Sequence, residues 1–191
     1  MNVKFIAVTA ILSSISAVLM MLSFPIPFFP PFMKFDLSDF PALIGAFALG
    51  PWAGCIIELI KNLSHLMRTS SAGIGEFANF IIGASFVIPA GIIYKYNKTR
   101  KGALLGMAIG VICMAVIGVL ANYFILFPFY QTIMPIEKII KMTQKFVPSV
   151  DSLWKVILFS IVPFNILKGT ILSMLAFFSY KHFSAIINIK K

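Results

Sequence analysis

The sequence predicts an all-α polytopic membrane protein: a single domain over residues 1–191, six transmembrane helices, and a proline-rich extracellular lid loop between the first two. Three observations predict it. The chain is 60% hydrophobic and 12% charged, more apolar surface than a soluble core of this length can hide. Its apolar residues fall in runs of roughly membrane-spanning length, separated by short polar or basic stretches. The basic residues behind the formal net charge of +10 flank those runs and do not gather on one polar element. That is the pattern of cytoplasmic loops under the positive-inside rule, and it argues against nucleic acid as a partner.

The first run, residues 3–23, is long enough to cross roughly 30 Å of hydrocarbon. Further spans follow it, which marks it as a transmembrane helix and not a cleaved signal. Ala10, Ser14 and Ala17 share one face at i, i+4, i+7. Small residues at that spacing admit a close helix neighbour, from within this chain or from a partner. Residues 24–41 cannot form a single helix, because Pro25, Pro27, Pro30 and Pro31 lack backbone donors and hold φ near −65°. The same stretch carries Phe24, Phe28, Phe29, Phe32, Phe35 and Phe40. Two readings stand: an aromatic belt at the lipid headgroups, or a stiff lid over a pocket opening at a membrane face.

Asp39 is expected to cap a short second helix over 40–49, stopped by Gly50-Pro51. At about 1.5 Å per residue that helix spans only where its surroundings accommodate it. The third helix, 52–67, carries Glu58 and Lys61, three apart and set to form an ion pair. Charges at bilayer depth cost roughly 2.5–3.5 kcal/mol each, so they face the bundle interior or lie near an end. A polar turn at 68–75 leads to the fourth helix, 76–94, where Gly83 and Ala84 leave room for a neighbouring helix or a planar ligand. The basic loop 95–101 is the clearest cytoplasmic marker. The fifth helix, 102–128, brings Asn122-Tyr123 near its far end, and the loop 129–153 holds an amphipathic surface helix over 135–146. The sixth, 154–180, contains Pro163, Asn165 and Lys168. Six spans put both termini on the side of the basic loop, with Lys4, Lys181, Lys190 and Lys191, and hence in the cytoplasm. The lid, Asn122 and Asn165 then fall toward the outer face.

That convergence is the chemical content of the sequence. Asn165 and Lys168 lie three apart on one helix face, with Asn122 at matching depth on the preceding helix. Amides supply donors and acceptors and an ammonium supplies donors, which together suit a ligand edge alternating carbonyl and imino groups. Aromatic lid residues suit a flat ring behind that edge. An interhelical hydrogen bond is the competing role for Asn165. Pro163 is placed to kink the helix there. No phosphate loop of the Gly-x-x-x-x-Gly-Lys-Ser/Thr type is present, so ATP hydrolysis by that device is excluded. His65 and His182 are far apart, with no H-E-x-x-H and no paired acidic motif, which argues against a metal site or a catalytic site. Cys55 and Cys113 sit in apolar runs as small apolar residues.

Lys34-Phe-Asp-Leu-Ser-Asp39-Phe-Pro, Phe77-Ala-Asn79-Phe-Ile-Ile-Gly83-Ala84-Ser85-Phe, Asn122-Tyr123 and Pro163-Phe-Asn165-Ile-Leu-Lys168-Gly, in this order, resemble the riboflavin-specific S-component of energy-coupling factor (ECF) transporters. The resemblance implies a bacterial plasma-membrane subunit that captures riboflavin as transported substrate, with no cofactor. Its implied partners are a transmembrane coupling subunit and a pair of ATPases. It implies that Asn122, Asn165 and Lys168 hydrogen-bond the isoalloxazine edge. Lys34, Phe35, Asp36, Leu37, Asn79, Gly83 and Ala84 would surround the ring and ribityl chain, and Ala10, Ser14 and Ala17 would dock the coupling subunit. An S-component for another flat vitamin, or a stand-alone facilitator, is the alternative; a channel would show a continuous polar stripe, whereas the polar residues here cluster at one end.

Overall fold

The computed structural model describes residues 3–187, with side chains described to residue 179. Lys190 and Lys191, and the side chains of Lys181 and His182, lie outside the described residues. Among the described residues, four stretches are long and apolar enough to cross a membrane: Val3–Met21, Ile74–Tyr96, Arg100–Ile133 and Leu153–Ser179. The first is helix α1 (Val3–Met21). Its Ile11, Ile15 and Val18 point outward, as side chains do where lipid is the solvent.

The next two helices fall short of the expected spans. Helices α2 (Asp39–Leu49) and α3 (Pro51–His65) have 11 and 15 residues. At 1.5 Å per residue that is roughly 16 and 22 Å, against roughly 30 Å of hydrocarbon. Gly50 separates them at φ +109°, and Pro51 opens α3 where a missing donor costs nothing. The expected cap is also displaced: Ser38 precedes α2, while Asp39 is its first residue and turns its carboxylate to lysines of other helices.

The proline-rich stretch is non-helical up to Ser38, with Asp39–Pro41 already in α2, but it is not featureless. β1 (Phe24–Pro25) and β2 (Lys34–Phe35) pair antiparallel, with Phe24 opposite Phe35, so the chain is not purely α. Phe28, at φ +74°, takes the left-handed conformation at the hairpin's turn.

Helix α4 (Ile74–Tyr96) lies against α5 (Arg100–Ala121) with backbones almost touching. A Cβ on Gly106 would stand 2.8 Å from the Ala90 carbonyl oxygen, and one on Gly110 2.6 Å from that of Phe86. Glycine at that spacing is what lets two membrane helices close on each other. The chain then continues through a widened π turn, Asn122–Leu126, into α6 (Phe127–Ile133). A second π turn, Ile157–Ile161, joins α8 (Leu153–Val156) to α9 (Val162–Ile187), after the surface helix α7 (Ile136–Gln144). Each wide turn has a cause in the sequence. Pro128 and Pro163 cannot donate to the carbonyls four residues back, Phe124 and Phe159, and both of those lie inside the turns. The kink expected at Pro163 is thus a local widening just upstream of it.

Two apolar cores result. One runs through the bundle, with Leu43, Ile57, Phe86, Val87, Met107 and Leu172. The other gathers at one end, where Met33 and Phe35 of the loop meet Phe127, Ile139 of α7, Val150, Ile157 and Phe164. α7 is amphipathic as expected: Ile139 and Thr143 are buried, and Lys138, Lys141 and Lys145 are exposed.

Candidate ligand-binding site

Where the two cores meet, the helices leave a cavity of about 170 Å³. Phe32, Met33 and Lys34 of the loop form one wall, and α2 contributes Asp39. Gly75, Asn79, Ile82 and Gly83 of α4 form another. Met114, Asn122, Leu126 and Tyr130 come from the α5–α6 rod, and Phe164, Asn165 and Lys168 from α9. Six of the sequence-predicted ligand residues therefore line one space: Lys34, Asn79, Gly83, Asn122, Asn165 and Lys168. Phe35, Asp36, Leu37 and Ala84 do not. Phe35 packs on Phe24 with ring centroids 5.7 Å apart, Leu37 packs against both cores, and Ala84 is buried behind the wall.

The two asparagines are held alike. Asn122 Nδ2 donates to the Gly118 carbonyl and Asn165 Nδ2 to the Ile161 carbonyl, each at 2.8 Å and each four residues back. One amide hydrogen is spent on the helix, and the carbonyl oxygen and the second hydrogen stay available to the cavity. Gly118 makes this possible, since a Cβ there would stand 2.8 Å from Asn165 Nδ2. The competing role for Asn165, an interhelical hydrogen bond, is not the one taken: its partner lies within its own helical run.

Lys168 is 3% exposed and does not stand alone. Its ammonium pairs with Asp36 Oδ2 at 3.1 Å and Asp39 Oδ2 at 2.9 Å. An ammonium has three donors, so one direction remains for a ligand. Asp39 also pairs with Lys61, which in turn meets Glu58 Oε2 at 2.8 Å, the expected ion pair on α3. Asp36 fixes the loop's exit by accepting from the Ser38 backbone N–H at 2.9 Å and from the Ser38 hydroxyl, while the Ser38 carbonyl accepts from Ser16 of α1. Buried charges in this number are tolerable only because each has an opposite partner.

The space over Gly83 is taken by the Glu58 carboxylate, so of the two expected occupants a neighbouring helix holds it. Asn79 Oδ1 is buried with no hydrogen-bond partner among the described residues. A buried acceptor left open beside a cavity is suited to a ligand donor. Below it, Glu76 orders the α3–α4 connection, accepting from Thr69 at 2.8 Å and Ser71 at 3.1 Å and bonding His65 at 2.9 Å. On α1, Ala10 and Ser14 are exposed and Ala17 is half-buried, so this small-residue face is not consumed by packing inside the chain.

Sequence reasoning missed several lining residues. Tyr130 lies beyond the helix end expected at residue 128, and only the uninterrupted rod brings it in. Asp39 had a local role assigned, as a cap. Phe164 lay between two singled-out residues; its apolar ring, T-shaped on Phe29 at 5.3 Å, carried no polar signal.

The family model for the substrate-specific component of ECF transporters matches residues 4–180. The chain belongs to that family. As a substrate-specific component it is a membrane-embedded transport subunit and not an enzyme. It is 36% identical over 178 residues to a riboflavin transporter, RibU, of Staphylococcus aureus, covering 93% of this chain and 89% of that one. With the riboflavin transporter FmnP of Bacillus subtilis it shares 34% over 177 residues, 91% and 88% of the two chains. A solved structure of the S component of a bacterial ECF transporter superposes with a TM-score of 0.75 at 34% identity, covering 97% of this chain and 98% of the other. The substrate-specific component thus presents its buried polar cluster on a bundle shared with that solved S component.

Proposed function

We propose that this chain captures riboflavin at the outer face of a bacterial plasma membrane and hands it inward within an ECF importer. The observation that carries this is the meeting of Asn122, Asn165 and Lys168 on one cavity beneath Phe32 and Met33. The amides and the remaining ammonium donor read the carbonyl and imino edge of the isoalloxazine, and Asn79 Oδ1 accepts from a ribityl hydroxyl. Phe32, Met33 and Phe164 supply the apolar faces for the ring. Lys34 and Gly83 border the same space, while Phe35, Asp36, Leu37 and Ala84 support its walls. The relatives' names supply the vitamin, since the chemistry alone selects a flat, polar-edged ligand.

In this reading α2 and α3 complete six crossings, the hairpin 24–35 is the extracellular lid, and both termini are cytoplasmic. A site for a drug-sized ligand occupies roughly 300–1,000 Å³, so a cavity of about 170 Å³ takes the vitamin only when the lid shifts outward. The exposed Ala10–Ser14–Ala17 face meets the coupling subunit, and a pair of ATPases supplies the energy. Titration of purified protein by quenching of flavin fluorescence, with thiamin and biotin as competitors, tests the assignment. Tight riboflavin binding, undisturbed by the other vitamins, is expected. A colourless preparation with no flavin titration overturns it.

A further inference from the structure

We infer that Lys61 is a positioning residue for the ligand site, acting through Asp39 and Ser38 without touching the ligand itself. Lys61 is fully buried on α3 and is absent from the cavity wall. Its ammonium contacts three groups: Asp39 Oδ1, Glu58 Oε2 at 2.8 Å and Ser38 Oγ at 2.8 Å. Asp39 is shared, with one carboxylate oxygen on Lys61 and the other, at 2.9 Å, on cavity-lining Lys168. Ser38 is shared too, since its hydroxyl also reaches Asp36, the second partner of Lys168. Both carboxylates that aim Lys168 are therefore held from behind by Lys61.

The charges facing this cluster come from every element packed on it. The loop contributes Asp36, α2 Asp39, α3 Glu58 and Lys61, and α9 Lys168; α1 offers Ser16 and α4 Gly83, neither of them titratable. Three carboxylates thus face two ammonium groups, an excess of one. Without Lys61 the excess is two, around a single ammonium. Buried excess carboxylates take up protons as pH falls, which returns the cluster toward neutrality. At higher pH they repel one another, and Asp39 no longer fixes Lys168. Loss of Lys61 therefore makes ligand affinity fall as pH rises.

This rests on the riboflavin reading, and the test separates the two. Riboflavin affinity is measured from about pH 5.5 to about pH 8 for the wild type, Lys61→Met and Glu58→Gln/Lys61→Met. The double variant leaves two carboxylates and one ammonium, the wild-type excess of one. Wild type is expected to bind across the range, and no binding there overturns the riboflavin reading. Lys61→Met is expected to lose about tenfold or more at the high end and about threefold or less at the low end. The double variant is expected to recover to within about threefold throughout. Unchanged affinity in Lys61→Met, or an equal loss at every pH with no recovery in the double variant, overturns the positioning role. If Lys61→Met gives no folded protein, Ser38→Ala tests the same path with no change of charge. Ser38→Ala is expected to weaken binding about fivefold, and wild-type affinity there overturns the inference.

Discussion

Gly118 holds the two asparagines of the cavity in register. Its carbonyl takes one amide hydrogen of Asn122, and its missing side chain leaves the space in which the Asn165 amide sits. Gly118→Ala puts a methyl 2.8 Å from Asn165 Nδ2, so the amide must shift off the Ile161 carbonyl that holds it. Riboflavin affinity is expected to fall about tenfold or more, read by fluorescence titration, while the helical circular dichroism is retained. On the proposed reading Asn165→Ala and Lys168→Ala each remove a direct ligand partner, and each is expected to cost roughly 1–3 kcal/mol of binding. Lys168→Ala belongs at the upper end, because it also leaves Asp36 and Asp39 facing each other without their shared cation. At this scale the polar residues were legible in the sequence: an amide and an ammonium three apart in an apolar run have few other uses. Their supports were not. Nothing in a linear reading pairs Asp36 with Lys168 across 132 positions, or shows that Gly118 is small for the sake of Asn165.

At the scale of elements, the hairpin and the wide turns shape the cavity. The hairpin is pinned at its exit, where Asp36 joins Lys168 of α9 and Ser38 joins both Lys61 of α3 and Ser16 of α1. Asp36→Asn keeps the shape but removes the charge that latches the loop to α9. On the proposed reading of the hairpin as a lid, it is then expected to open more often. Stopped-flow release of riboflavin should quicken about tenfold, with a smaller change in the association rate. Equal rates in variant and wild type would show that the hairpin is held by its phenylalanines alone. The prolines announced a non-helical loop, but the two-residue strands were beyond any periodicity, and their register is set by packing of Phe24 on Phe35. The wide turns were half legible. Pro163 signals a disturbed helix, but the widening falls before the proline, around the carbonyls it leaves free. Helix 102–128 was read too short because Pro128 looks like a stop; the turn at Asn122–Leu126 absorbs it and the rod runs on to Ile133.

Across the whole molecule, the binding site and the α1 outer surface lie on opposite sides of one buried seam. Thr9, Ser13 and Ser16 face inward, and Ser16 bonds the Ser38 carbonyl where the hairpin loop runs into α2. Ala10 and Ser14 face outward as a small-residue stripe beside the exposed Ile11, Ile15 and Val18, and Ser14 Oγ turns back to the Ala10 carbonyl at 3.0 Å, which keeps the stripe itself low. A flat, small-residue stripe in lipid favours another helix over acyl chains, because backbones can approach closely there. Ser14→Trp fills that stripe without reaching the cavity, which lies beyond the inward face. Riboflavin affinity of the isolated subunit is therefore expected to stay within about twofold. Co-purification with the ECF energizing module should be lost, and riboflavin uptake by proteoliposomes containing the full complex should fall with it. Retained assembly would move the docking surface to another outward face. A loss of riboflavin affinity in the isolated variant would instead mean that α1 transmits strain through Ser16 to the hairpin, tying the α1 outer face and the cavity into one energetic unit.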